Sequence, residues 1–210
     1  MLDAMRIAIV DTDIANIGSV CRVLRELGAE PVVARKPDEL AGASRILLPG
    51  VGSFAAGMAS LRRAGFDDAL RQAVADGKPL LGICLGMQLL AEHGTESGGA
   101  AGLGLIAGTV EHLQATGCKE RVPHMGWNDV EIARPCALVD GIATGTDFYF
   151  VHSYVFCLAN PQDLVASCDH GGKFAAIISS GNVHGAQFHP EKSAQAGFRV
   201  LGNFLEMAAC

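Results

Sequence analysis

The sequence predicts an α/β fold: a doubly wound, mostly parallel sheet with an antiparallel extension in the second half. Three observations carry that prediction. Short apolar runs alternate with amphipathic stretches through the first 93 residues, as repeated β-α units require. Gly-rich turns close two of those runs. After Gly94 the pattern changes to short β-type runs divided by turns of hairpin length.

The elements follow in order. Arg6 to Val10 is an apolar run that suits a strand covered on both faces, and Ile17, Val20, Leu24 and Leu27 then recur at helical spacing before a stop at Gly28. Pro31 to Ala34 reads as the second strand, Asp38 to Ala43 as a short helix, and Arg45 to Leu48 as a third strand. That strand runs into Pro49-Gly50-Val51-Gly52-Ser53-Phe54. Helical spacing resumes through Leu61 and again through Ala69, Leu70, Ala73 and Val74. The next strand starts at Pro79 and passes at Cys84 into residues that favour helix as far as Leu90. Strands joined this way need right-handed crossovers, and the turns that follow them lie at the ligand-binding edge of such a sheet.

Thr95 to Gly104 reads as a Gly- and Ala-rich loop. Strands are then expected at Thr109 to Leu113, Trp127 to Ala133, Asp147 to Phe156, Leu164 to Cys168, Phe174 to Ser179 and Val183 to Phe188. Gly171-Gly172 and Ser180-Gly181-Asn182 separate the last three as hairpins. A final helix is expected to bury Phe198, Leu201, Leu205 and Ala208. With no internal repeat, low-complexity segment or linker, residues 1–210 read as one domain.

Composition narrows the function. The chain has 210 residues, half of them hydrophobic, which is enough to bury a large core. No run approaches the roughly 18 apolar residues of a membrane helix, and Met1 to Thr12 lacks the pattern of a signal peptide, so a cytoplasmic protein without a membrane partner is expected. A net charge of -6 with no basic run argues against nucleic acid as a partner. Seven scattered cysteines with no C-x-x-C pair fit neither a disulfide framework nor a zinc site. The seven histidines include no H-x-x-x-H pattern, so no metal or other cofactor is expected.

Gly82-Ile83-Cys84-Leu85-Gly86 has the outline of a nucleophile elbow with cysteine at its tip. Gly82 and Gly86 would relieve the crowding of a sharp strand-to-helix turn, and a following helix would favour the thiolate. The backbone N–H of Leu85 would point into the same space and hold a developing oxyanion. Taken alone, the elbow fits a catalytic thiol and a tight packing turn about equally well. Gln187-Phe188-His189-Pro190-Glu191 supplies a second part, because residues two apart in an extended segment project to one side and Glu191 could orient His189. A surface histidine beside a solvated glutamate is the plainer alternative. Glycines in Pro49-Gly50-Val51-Gly52 would let backbone N–H groups approach a ligand, although most Gly-x-Gly turns are only turns.

Together, Pro49-Gly50-Val51-Gly52, Gly82-Ile83-Cys84-Leu85-Gly86-Met87-Gln88 and His189-Pro190-Glu191 resemble the class I, triad-type glutamine amidotransferases across essentially the whole chain. The resemblance implies a glutaminase that forms a γ-glutamyl thioester on Cys84, with His189 as base and then acid and Glu191 as its orienter. It implies oxyanion donors from Val51 or Gly52 together with Leu85, and glutamine binding by Gly50, Gly52, Gln88, Glu96, Ser153 and Tyr154.

Val122-Pro123-His124-Met125-Gly126-Trp127-Asn128 and Tyr149-Phe150-Val151-His152-Ser153-Tyr154 are similar to one branch of that family, the glutaminases of imidazole glycerol phosphate synthase in histidine biosynthesis. That branch implies a heterodimer with a (β/α)8-barrel cyclase subunit, contacted through Asn16, Trp127, Tyr149 and Lys192. Read from the residues alone, the plainer alternative is that Met125 and Trp127 are core residues and that 149 to 156 is a buried strand. Many relatives read Asp-Tyr-Gly-x-Gly-Asn where this chain has Asp11-Thr12-Asp13-Ile14-Ala15-Asn16. This leaves room for a paralogue feeding another acceptor, for example in surface-sugar biosynthesis. A stand-alone cysteine hydrolase on the same scaffold is the remaining alternative.

Overall fold

A computed structural model describes residues 5–11 and 17–207. Strand β1 (Arg6–Val10), helix α1 (Ile17–Glu26), β2 (Glu30–Ala34), β3 (Arg45–Gly50), α2 (Phe54–Ala64), α3 (Phe66–Ala75) and β4 (Leu80–Cys84) form the β-α half. A single turn, α4 (Leu85–Gln88), follows. Then come β5 (His93–Gly94), β6 (Ala100–Ala101), β7 (Gly108–His112), β8 (His124–Ile132), β9 (Thr146–His152), β10 (Tyr154–Leu158), β11 (Leu164–Asp169), β12 (Lys173–Ser180), β13 (Val183–Ala186) and α5 (Ala194–Glu206).

Nine strands make the main sheet in the order β2-β1-β3-β4-β13-β12-β11-β8-β9. The first five are mutually parallel and the rest antiparallel. Strand pleat divides the apolar residues between two faces. Ile7, Ile9, Leu47, Leu81 and Ile83 pack with Val20 and Leu24 of α1 and Val200, Leu201 and Phe204 of α5. Ala8, Val10, Ile46, Leu48 and Leu80 pack on the opposite face with Phe54, Met58 and Leu61 of α2 and Phe66 and Leu70 of α3. Each fully buried Leu, Ile or Phe contributes about 1.5–3 kcal/mol. The predicted double winding is therefore a division of one alternating pattern between two helical layers.

Several expectations change in the structure. Asp38 to Ala43 is not a helix: Pro37–Leu40 forms one 3-10 turn, because Ser44 N–H bonds Arg6 carbonyl at 2.9 Å and draws the chain straight into β3. The run Asp147 to Phe156 is two strands. β9 pairs with β8 in the main sheet, while β10 pairs with β7 in a separate four-stranded sheet of order β10-β7-β5-β6. The break is at Ser153, whose carbonyl accepts from Leu113 N–H at 2.9 Å, and no glycine or proline in the sequence marks it. The loop Thr95 to Gly104 folds back so that β6 within it pairs antiparallel with β5 just before it, as a small hairpin. Gly94 within it is obligatory, since a Cβ there would meet the Phe54 ring at 2.5 Å.

In α5 the buried stripe is Gly197, Val200, Leu201, Phe204 and Leu205, with Phe198 only half-buried. The helix sits so close to Pro190 that a Cβ at Gly197 would overlap its carbonyl, which fixes the rotation of the stripe. Ala208 lies outside the described residues. Among the described residues no helix is long and apolar enough to cross a membrane.

Strand β13 decides the site. Its sequence position suggests another antiparallel strand, and on one side it does pair antiparallel with β12. On its other side it lies parallel to β4, with Gly185 opposite Gly82 and Ala186 opposite Ile83. The chain leaving β13 therefore emerges beside Cys84.

Candidate active site

At the carboxyl edge of β4 the backbone of Cys84 takes φ +54° and ψ -113°, a left-handed conformation that costs a residue with a Cβ about 1–3 kcal/mol. The flanking glycines make the turn possible. A Cβ on Gly82 would lie 2.6 Å from the Gly86 carbonyl oxygen, and one on Gly86 would overlap the carbonyl of Leu48. The helix expected through Leu90 ends after the single turn Leu85–Gln88, so a macrodipole of any length is missing. Support for the sulfur has to come from side chains.

Cys84 Sγ, itself buried, lies 3.9 Å from the Val151 carbonyl and 3.8 Å from Gln187 Nε2. His189 follows two residues after Gln187, and its backbone N–H is fixed to Tyr149 carbonyl at 2.9 Å. Its Nδ1 lies 2.8 Å from Glu191 Oε1, and each of the two side chains is only 4% exposed. A 3-10 turn at Pro190–Lys192 holds the pair, and Ser193 Oγ donates to His189 carbonyl at 2.7 Å while accepting from Tyr149 N–H at 3.0 Å. His189 Nε2 is buried without a hydrogen-bond partner among the described residues, leaving it free to exchange a proton. Burial opposes a charge on this imidazole, but the neighbouring Cys84 and Glu191 outweigh it and push its pKa up to about 9.

Cys84, Val151 and His189 border a cavity of about 300 Å³. Val51, Gly52, Leu85, Gln88, Glu96, Ser153 and Tyr154 line it with Cys84 and His189, so the structure brings the expected oxyanion and glutamine-binding residues together with one exception. Gly50 lies below the cavity opposite Cys84 in the β3–β4 register, where a Cβ would come within 3.1 Å of Leu85 Cβ. Gly52 has φ +101°, a conformation suited to glycine. Glu96 is half engaged, its Oε2 accepting from Phe54 N–H at 2.7 Å. Burial and the Glu96 charge raise the Tyr154 phenol above its ordinary pKa. Gln88 Nε2 is engaged twice, by Tyr154 carbonyl at 2.9 Å and Gln187 Oε1 at 3.0 Å.

Sequence reasoning quoted Gln187 within its motif but gave it no role, and His152 also lines the cavity unassigned. Alternation along β13 could have found Gln187, since it falls level with Cys84 once β13 is placed beside β4.

Outside the cavity, Trp127 is 55% and Met125 62% exposed, which overturns the core alternative for both. Tyr149 meets Trp127 edge-on at 6.1 Å between ring centroids, and Lys192 Nζ lies 5.8 Å from the Tyr149 ring centroid. Asn16 lies outside the described residues. Among the described residues no group of three or more His, Cys, Asp or Glu side chains could hold a metal.

Comparison with known proteins identifies the family. The family model for glutamine amidotransferase class-I matches residues 8–207. "Imidazole glycerol phosphate synthase subunit HisH" of Moorella thermoacetica is 47% identical over 96% of this chain and 94% of its own length. The protein of the same name from Xanthomonas campestris pv. campestris is 48% identical over 96% and 98%. Among solved structures, a glutamine amidotransferase superposes with a TM-score of 0.75 at 24% identity, covering 95% of this chain and 97% of that one. "Structure of PurLQS from Thermotoga maritima" superposes with a TM-score of 0.73 at 22% identity, covering 96% and 98%. These two show the likeness of fold. By the match of its sequence over nearly its whole length, the chain belongs to the class-I glutamine amidotransferases.

Proposed function

We propose that this chain, read as one amidotransferase domain over residues 1–210, is the glutaminase subunit of an imidazole glycerol phosphate synthase. One juxtaposition supports the chemistry above all: a strained cysteine elbow opens into the same cavity as a histidine whose far nitrogen is held by a buried carboxylate. The Cys84 thiolate attacks the side-chain amide carbon of glutamine. Backbone N–H groups of Leu85 and of Val51 or Gly52 hold the oxyanion. The His189 imidazolium gives its proton to the departing nitrogen, the C–N bond breaks, and ammonia leaves a γ-glutamyl thioester. Water then loses a proton to His189 as it adds to the thioester, and breaking the C–S bond releases glutamate with thiolate and imidazolium restored. A His189 pKa of about 9 suits this ion pair at neutral pH.

Because both amide hydrogens of Gln88 are committed to protein acceptors, the group it offers glutamine is Oε1, which accepts from the α-ammonium. Glu96 Oε1 serves the same ammonium, while Oε2 stays on Phe54 N–H. Gly52, Ser153 and Tyr154 act mainly through backbone, and Gly50 shapes the floor.

The ammonia passes to a (β/α)8-barrel cyclase subunit that makes imidazole glycerol phosphate and aminoimidazole carboxamide ribotide. Exposed Trp127, with Tyr149 and Lys192 beside it, supports docking of that partner on the rim of the site, with Asn16 as a further contact. A cytoplasmic location goes with this biosynthetic role. The test is glutamate release, measured alone and then with the cyclase barrel and its ribulose-phosphate ligand. Stimulation by both is expected. Release unaffected by the barrel would overturn the branch and favour another acceptor or a stand-alone hydrolase.

A further inference from the structure

A single carbonyl fixes the direction of a hydrogen-bond chain that ends on the nucleophile. Tyr154 O can only accept, and it lies 2.9 Å from Gln88 Nε2 and 3.0 Å from His152 Nδ1. Gln88 must therefore turn its NH2 group toward it, since the flipped amide would set two oxygens against each other. The same Nε2 lies 3.0 Å from Gln187, which must then present Oε1. That leaves Gln187 only one way to meet Cys84: its NH2 group faces Sγ at 3.8 Å. On the other side, His152 carries its proton on Nδ1, so its Nε2 accepts from His124 Nδ1 at 3.0 Å. His124 Nε2 in turn accepts from Asn128 Nδ2 at 3.2 Å. Every side-chain orientation from Asn128 to Cys84 thus follows from one main-chain oxygen.

Gln187 is 0% exposed and both ends of its amide are engaged. Orienting a buried amide this way costs side-chain entropy, and an N–H directed at sulfur repays it best when the sulfur is an anion. We propose that Gln187 is a positioning residue for the nucleophile: its amide N–H, oriented by Tyr154 O through Gln88, holds Cys84 Sγ as the thiolate. This role fills the place left by the short α4, and it rests on the reading of Cys84 as the nucleophile.

The test is the pH–rate profile of Cys84 alkylation by iodoacetamide in the full chain, with the Cys84 peptide followed by mass spectrometry. Gln187→Met keeps the length of the side chain and removes the donor. The midpoint of its profile is expected to move up by about one pH unit, the size of one charge-assisted hydrogen bond. Gln187→Glu, of the same shape, is expected to move the midpoint up at least as far. Gln88→Met, which removes only the orienting group, is expected to move it in the same direction. A midpoint that stays at the wild-type position in any of these variants that folds overturns the proposal, because a purely structural role would lower stability without moving this profile. Failure of the underlying reading looks different: Cys84→Ala would still release glutamate from glutamine at the wild-type rate.

Discussion

His189 Nδ1 and Glu191 Oε1 stand 2.8 Å apart with both side chains almost fully buried, so the carboxylate fixes which imidazole nitrogen faces the cavity. Glu191→Gln keeps a side chain of the same size but removes the charge that supports the imidazolium. We expect kcat for glutamine hydrolysis by the complex to fall about a hundredfold, within the range for loss of acid–base catalysis. KM should change little, because Glu191 does not line the cavity. Steady-state glutaminase assays separate the two constants.

The pH dependence follows from the same pair. His189 is raised to about 9, so the imidazolium form persists through neutral pH and is lost as pH rises through 9. We expect kcat/KM for glutamine to fall above about pH 9 with the loss of one proton. In Glu191→Gln the descent should begin at lower pH. The group also has a stability signature: its contribution is complete below the unfolded value of 6.5 and disappears as pH rises from there through 9. Urea titrations across that interval, compared with His189→Gln, measure it.

Gly86 tests the elbow from the packing side. A Cβ at this position would overlap the Leu48 carbonyl, a main-chain atom in the centre of β3 that cannot swing aside. We expect Gly86→Ala to destabilise the protein by about 3 kcal/mol and to abolish alkylation of Cys84 at neutral pH. Gly104→Ala, where a Cβ meets nothing within 4 Å, is the control for backbone strain alone, since its φ is +62°.

What could be read in the sequence divides along physical lines. The elbow, the His-x-Glu pair and the β-α half were legible because each is encoded by neighbours in the chain: glycines flanking a cysteine, a two-residue spacing, an apolar period. The insertion of β13 beside β4 was not, because parallel pairing over about a hundred residues leaves no local mark, yet it brings His189 to Cys84. Nor was the division of residues 147–156 between two sheets, since Ser153 interrupts an apolar run without a glycine or proline. The role of Gln187 depends on that same placement, since its level with Cys84 is apparent only once β13 lies beside β4. A buried glutamine is informative only once its partners Gln88 and Cys84, 99 and 103 residues away in sequence, are in place.

Trp127 tests the proposed docking of the partner. With 55% of its surface exposed, it contributes little to the isolated fold, and its edge-on contact with Tyr149 is the main one it makes among aromatic rings. We expect Trp127→Ala to leave thermal stability within about 1 °C and to weaken binding of the cyclase barrel roughly thirtyfold, as for a buried aromatic anchor in an interface. Isothermal titration of wild type and variant against the barrel measures the difference.

Acid should weaken the fold through three histidines that it holds neutral. Desolvation, with the His170 charge, lowers His124 to about 4. Desolvation, which outweighs the bond to Tyr154 carbonyl, lowers His152 to about 3. Desolvation, with Arg134 and Arg45, lowers His184 to about 4 while its Nδ1 stays 2.9 Å from Ser179 Oγ. Each folded value lies below the unfolded 6.5, so the unfolded chain takes up protons first and stability is lost as pH falls from 6.5 through about 4. Protonating His152 Nε2 or His124 Nε2 would also turn an acceptor of the chain from Asn128 into a donor and set two N–H groups against each other. We therefore expect denaturant midpoints to fall steeply between pH 6 and 4 in wild type, and His184→Gln to flatten that slope by about one proton. An unchanged slope in His184→Gln would show that its buried site admits the charge.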